Sequence, residues 1–180
     1  MHAAIEDGTA SAALFTALRS SNKALIDPVT RCAATGDPTP FTELSLALVA
    51  ERDQSIVGAL YALPPGAFIA EIINQGIEAL HAMVIAMSAI KIKALAVDPT
   101  DRGQGIASAL LTGCARLYDQ LGYYLLYGSF AVGSGLETFY SARGFEVLPV
   151  GGSIPLDIIM GQPVRLGTQR SEQLFARWRS

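Results

Sequence analysis

One stretch of this 180-residue chain leaves few folds open. The apolar run Ile90–Val97 passes through a loop with two glycines, Gly103 and Gly105, into a segment of helical periodicity. There Ile106, Leu110, Cys114, Leu117 and Leu121 form one buried stripe, and Gly122 is a good helix stop. A second apolar run, Tyr123–Phe130, follows at once. Two strands joined by a helix lie parallel, and the crossover is almost always right-handed, because a right-twisted strand feeding a helix packs back onto its sheet only that way. A sheet covered by helices is therefore required.

The flanking segments extend that sheet. Leu44–Glu51 and Ile56–Ala62 read as strands joined by the polar hinge Arg52-Asp53-Gln54-Ser55. Pro64-Pro65-Gly66 ends the second. Phe68, Ile69, Ile72, Ile73, Leu80, Val84 and Met87 sit mostly three or four apart and predict one apolar helix over 68–87. In the next strand Lys91 and Lys93 alternate against Ile90, Ile92 and Ala94. Leu136–Arg143 predicts a short helix closed by Gly144, and Phe145–Val150 and Ile154–Met160 predict strands. Thr9–Ala34 reads as one or two short helices, the second punctuated at Asp27-Pro28, since a residue before proline avoids the helical region. The expectation is a single mixed α/β (α+β) domain over 1–180: helices in 9–34, a core over 44–160 and a tail over 161–180. The tail, with four arginines and the only tryptophan, is expected to be solvated or docked on the surface.

Composition narrows the function classes. Hydrophobic residues make up 51% and charged residues 16% of the chain, with a mean hydropathy of +0.35. This excludes wholesale disorder and leaves spare apolar surface for a lipid-like ligand or for self-association. A net charge of −3 argues against a nucleic-acid binder, which needs cations for the phosphates. Cys32 and Cys114 lie far apart and only His2 and His81 accompany them, so neither a metal site nor a disulfide is expected, and a reducing cytoplasm is the default. Met1–Asp7 lacks the basic and apolar regions of a signal peptide. The run Ala79–Ile90 falls short of the ~20 residues that span a bilayer.

The chemistry concentrates at Val97-Asp98-Pro99-Thr100-Asp101-Arg102-Gly103-Gln104-Gly105-Ile106-Ala107. At a helix start the first N–H groups lack partners and the dipole is positive; glycines let a ligand approach, and Arg102 adds a forked cation. That is an anion site suited to a pyrophosphate. Asp98 and Asp101 would oppose it unless they point outward. No lysine follows either glycine, which excludes a P-loop, and Ser108 stands where a dinucleotide turn has its third glycine. A glycine-rich turn with no ligand is the alternative when the loop is taken alone.

Arg102, Gly105 and Ala107, preceded by Leu95-Ala96-Val97-Asp98-Pro99, resemble the acyl-CoA loop of the GCN5-related N-acetyltransferase (GNAT) superfamily. Phe139-Tyr140-Ser141-Ala142-Arg143-Gly144-Phe145 is similar to a second segment of that family, in the right order. The resemblance spans about 44–160 and is close over 92–146. It implies a GNAT-like mixed central sheet of about six to seven strands, with an extra apolar helix between the third and fourth. It implies an acetyl-CoA-dependent transfer to a primary amine by direct attack. Leu95, Ala96 and Val97 would end a strand that splays from Tyr123–Phe130 and bind the pantetheine. Arg102, Gly103, Gln104, Gly105, Ile106 and Ala107 would cradle the pyrophosphate, and Tyr140 would protonate the leaving thiolate. Where the family often has asparagine, this chain has Gly133, so Ser134 is the substitute candidate.

The resemblance leaves the base open. An amine of ordinary pKa ~10.4 is almost wholly protonated near pH 7, so the site must supply about 3 pK units, about 4 kcal/mol. Glu71 and Glu78, seven residues apart and aligned, are the base candidates, with His81 offset; a solvated helix side or a water chain is the alternative. The helix 68–87 either shapes a hydrophobic acceptor pocket or forms a homodimer face. The acceptor is expected to be a small-molecule amine. The rival readings are a protein or peptide amine, and a non-catalytic acyl-CoA-binding or regulatory module.

Overall fold

A computed structural model describes residues 23–179; the expected helical residues before Lys23 lie outside the described residues. The hairpin forms from β1 (Leu46–Arg52) and β2 (Ser55–Leu63), turning through Asp53 and Gln54 at φ 49° and 64°. β2 pairs antiparallel with β3 (Ala89–Val97), and β3 pairs parallel with β4 (Leu125–Ala131) across α4 (Ile106–Leu121). The full order is β1-β2-β3-β4-β8-β5, with β5 at Glu146–Val147 and β8 at Glu172–Trp178. A small ribbon of β6 (Ile154–Pro155) and β7 (Arg165–Leu166) stands apart. The expected mixed sheet is present, six strands wide.

Two apolar layers follow from strand alternation. On one face α1 (Lys23–Thr35), α2 (Gly66–Asn74) and α3 (Ala79–Ser88) pack Val29, Cys32, Ile69, Ile72 and Ile85 against Leu125, Tyr127 and Leu174. On the other, α4 packs Ile106, Leu110, Leu111 and Cys114 against Ile90, Ile92, Leu126 and Phe130. The short helix α5 (Glu137–Ser141) brings Tyr140 to this second face, while α6 (Asp157–Met160) closes the first.

Six expectations need correction. The apolar segment 68–87 is two helices, because the chain reverses at Gly76 (φ 87°), where a side chain would be strained. The pair sits between the second and third described strands rather than a third and fourth. Its apolar residues are used inside the chain: Ile69, Ala70, Ile72, Ala82, Ile85 and Ala86 are buried, and of its large residues chiefly Leu80 and Met87 stay exposed. The continuous dimer face expected of 68–87 is thus largely internal. Pro28 lies within α1, where Val29 and Cys32 anchor the helix in the core despite one lost hydrogen bond. Within 145–160 the pairing is confined to short strands at 146–147 and 154–155, and Asp157–Met160 is a helical turn.

The largest correction concerns the tail. Residues 172–178 form an interior strand between β4 and β5, with Leu174, Phe175 and Ala176 at most 2% exposed. Arg177, which suggested a solvated tail, donates to Asp119 of α4 through both terminal nitrogens at 3.1 and 2.8 Å.

Candidate active site

The sheet divides at its centre. β3 and β4 are hydrogen-bond neighbours at four positions, from Ala89↔Leu125 to Ile92↔Gly128, and no further. Beyond that point β3 follows β2 to Val97, while β4 follows β8 to Ala131. The parting has a local cause. Tyr61 faces Ala94 and Ala62 faces Ile92, so Lys93 is an extra residue, a β-bulge directly after the last β3–β4 pair. Bulges add twist, which carries β3 away from β4. The edge of β3 facing the gap, including exposed Ala94 and Ala96, therefore offers backbone groups to a ligand.

Gly128 makes this apex possible. A Cβ there would sit 2.9 Å from the Ile92 carbonyl oxygen and from Cε1 of Phe175, closer still to Cζ. Only glycine fits.

The loop after β3 ends in a helix start with free donors. Gly105, the N-terminal cap of α4, is left-handed at φ 81° and supplies no side-chain cap, and the first helical bond runs from the Ala109 amide to the Gly105 carbonyl. Gly103 (φ 76°) and Gly105 each have nothing within 4 Å of a Cβ position, so the loop faces open space. The amides of Ile106, Ala107 and Ser108 at the head of a 16-residue helix, with Arg102 in the loop that leads into it, match the needs of a diphosphate. The Arg102 Nε donates to the Val97 carbonyl at 3.3 Å, tying the cation to the strand end.

Both acidic residues of the loop are engaged elsewhere. Asp98 accepts from the Thr100 amide and hydroxyl at 2.9 and 2.6 Å, and these bonds hold its carboxyl below the usual range. Asp101 is ion-paired with Arg52, which also donates to the Gln104 side chain at 2.7 Å. Arg52 was not among the residues singled out from sequence; it lies 49 positions from Asp101, and only the hairpin brings it there.

Tyr140 lies in an aromatic cluster, stacked on Phe175 at 3.7 Å between centroids and on Phe130 at 5.5 Å. Burial raises its phenol above the ordinary range, so it stays protonated at neutral pH. Arg143, in the turn after α5, ties that segment to the first turn of α4: its Nε and one terminal nitrogen donate to Ser108 Oγ at 2.9 and 2.6 Å, the other to the Phe139 carbonyl. Its guanidinium also lies 3.8 Å from the Phe139 ring centroid. Arg143 lies inside the Phe139–Phe145 phrase, so its position was legible there although its partner was not.

On the opposite sheet face is a cavity of about 770 Å³, walled by Leu63, Phe68, Ile72 and Leu174, with Glu71, Lys91, Lys93 and Glu172 among its polar lining. Glu71 is thus at the cavity. Glu78 is not in its lining; it caps α3 and is exposed at the end of the break that separates the two helices, so the seven-residue alignment of the pair is lost. His81 is on α3, with an unbonded buried Nδ1. Ser134 is exposed in the turn after β4. Cys114 is buried on α4 with its thiol pushed up to about 12, which fits packing and not nucleophilic use. Among the described residues no group of histidine, cysteine and carboxylate side chains could hold a metal ion, and no helix is long and apolar enough to cross a membrane.

A family model described as an acetyltransferase (GNAT) domain matches residues 43–147, more than half of the chain. No curated protein matches this sequence. Among solved structures, a GNAT family acetyltransferase from Elizabethkingia anophelis with acetyl-CoA bound is 15% identical, covering 78% of this chain and 80% of its own at a TM-score of 0.53. An IAA acetyltransferase from Bacillus cereus ATCC 14579 is 18% identical over 90% of this chain and 95% of its own, at 0.50. A ribosomal-protein-alanine N-acetyltransferase from Brucella melitensis is 16% identical over 93% and 95%, also at 0.50. At such identities these likenesses speak for the fold alone. The family match and the divided sheet with its open loop agree: the chain belongs to the GNAT acetyltransferase family.

Proposed function

We propose that this protein is an N-acetyltransferase that uses acetyl-CoA to acetylate a primary amine of a small molecule. The parting of β3 and β4 beneath the uncapped start of α4 carries the reading. On this reading the uncapped helix start takes the diphosphate and the gap between the strands takes the pantetheine arm. Bound acetyl-CoA supplies the activated acyl carbon; this chain's residues hold and orient it. The amides of Ile106, Ala107 and Ser108, with Arg102, take the diphosphate. The free edge of β3 from Ala94 to Val97 takes the amides of the pantetheine arm, and a backbone N–H there meets the charge that develops on the thioester oxygen.

The donor enters on the face of Tyr140 and the amine from the cavity on the other face. As nitrogen bonds to the acyl carbon, the C–S bond breaks and sulfur gains charge. Tyr140 donates its hydroxyl hydrogen to that sulfur. Burial holds the phenol above its ordinary range and the thiol is the stronger acid, so full transfer is uphill and the hydrogen bond supplies most of the stabilisation. Glu71, at the cavity, is the candidate to take the amine proton. The two cysteines, both free and buried, suit a reducing cytoplasm.

The test is thiol release with acetyl-CoA across a panel of amines, for the wild type and Tyr140→Phe. We expect kcat to fall on the order of 10²-fold with coenzyme A affinity nearly unchanged. Unchanged turnover removes Tyr140 from this role. Coenzyme A binding with no thiol release on any amine leaves a binding module instead.

A further inference from the structure

The cavity opposite Tyr140 carries a charge pattern that acetyl transfer by itself does not require. Lys91 and Lys93 stand on β3 at the apex of the split and both line the cavity, with Glu172 of β8 and the Thr168 hydroxyl. Among the described residues neither lysine has an ion-pair partner within 4.0 Å. Lys91 is half-buried; burial, and then the neighbouring Lys93 charge, pull its ammonium below the ordinary range, with Glu172 acting the other way. Two adjacent cations in a partly apolar wall are unfavourable unless an anion joins them.

Glu172 is within electrostatic reach of both lysines but forms no ion pair with either, and the cavity's other carboxylate, Glu71, is exposed. The Glu172 Oε2 accepts from Ser129 Oγ at 3.0 Å and from the Thr168 hydroxyl, and these bonds fix the carboxylate on the β4–β8 side of the gap. The cavity therefore presents a cationic side on β3 and an oriented carboxylate on β8. Leu63, Phe68, Ile72 and Leu174 make the rest of the wall apolar. An amine that reaches the split must pass beside Lys93, so an anionic group that meets the lysines has to be close to that amine in the same molecule.

Resting on the acetyl-transfer reading, we infer that the acceptor is a free amino carboxylate with an apolar side chain. Lys91 and Lys93 hold its carboxylate, Glu172 accepts a hydrogen from its amine, and its side chain lies on Leu63, Phe68 and Ile72. The lysine field also disfavours a protonated amine beside the thioester, in the direction catalysis needs.

Three probes separate the parts: L-leucine, L-leucinamide and the carboxylate-free isopentylamine, titrated calorimetrically into the protein–coenzyme A complex. Leucine is expected to bind at least tenfold more tightly than either of the others. Lys91→Met and Lys93→Gln should each bring the leucine-to-leucinamide ratio towards one, while Lys91→Arg keeps the preference. Lys93 is exposed, so its variant will fold even where Lys91→Met does not. Equal binding of leucine and leucinamide, no binding of leucine, or a ratio that survives in folded Lys91→Met or Lys93→Gln overturns the inference. Thiol release with leucinamide or peptides and no preference for leucine would overturn it and leave acetyl transfer standing. Tight leucine binding without thiol release from any amine would instead sustain the amino-carboxylate site and remove acetyl transfer.

Discussion

Gly128→Ala tests the divided sheet at its apex. The added Cβ would lie 2.9 Å from the Ile92 carbonyl oxygen, against 3.4–4 Å for ordinary contact, so β3 must recede by about half an ångström or Phe175 must turn. Neither is easy. Ile92 is held by Gly128 on one side and Ala62 on the other. Phe175 is 1% exposed and stacked on Tyr140 at 3.7 Å. Overpacking of such a site costs about 1–3 kcal/mol, and the upper end applies because both neighbours are fixed. The reduced freedom of alanine in the unfolded chain offsets roughly 0.5–1 kcal/mol. A net loss of about 2 kcal/mol lowers Tm by about 4–8 °C in a domain of this length. Differential scanning calorimetry and urea unfolding measure it. Phe175→Leu frees the same space, so the double variant should lose less than the sum of the singles, by about 1 kcal/mol or more. A Tm within a degree of wild type, or strict additivity, would refute the packing argument.

Two further outcomes follow from the site and the core. Arg52→Gln strips Asp101 of its cation beside the diphosphate loop and should weaken coenzyme A binding about tenfold, about 1.4 kcal/mol, by calorimetry; Asp101→Asn in addition should restore part of it, and unchanged affinity in the single variant excludes the latch. Burial raises the phenols of Tyr118, Tyr123 and Tyr127, with Tyr123 pushed up to about 12. The unfolded chain then loses these protons first, near pH 10, so stability is unaffected below that pH and falls above it. Urea unfolding should show a loss of roughly 3 kcal/mol between pH 10 and pH 11, and a flat midpoint over that range would contradict their burial.

The parallel crossover, the hairpin and the glycine loop were legible in the sequence because each is a local signal. A periodic stripe, a polar hinge and a run of turn residues all act within a few positions of one another. The same holds for the placement of Tyr140 on a short helix and of residues 102–107 in a glycine loop, since each stands in a continuous phrase. The segment 172–178 was misjudged for the opposite reason. Its arginines dominate its composition, and whether Leu174, Phe175 and Ala176 meet solvent depends on β4 and β5 leaving a place between them. The break at Gly76 was hidden because apolar periodicity continues on both sides of it.

The sequence by itself determined which strands run parallel and where a helix starts with uncapped amides, since backbone stereochemistry and periodicity settle those questions; Tyr140 was singled out by its place in a phrase that resembles the family. Only the tertiary structure decided where the sheet parts, what neutralises Asp101, and which charges share the cavity opposite Tyr140. A bulge of one residue at Lys93, a glycine at the apex facing Phe175, the meeting of Arg52 with Asp101, and the placement of Lys91 and Glu172 in one cavity are consequences of strand pairing over long separations. No local signal in the chain encodes them.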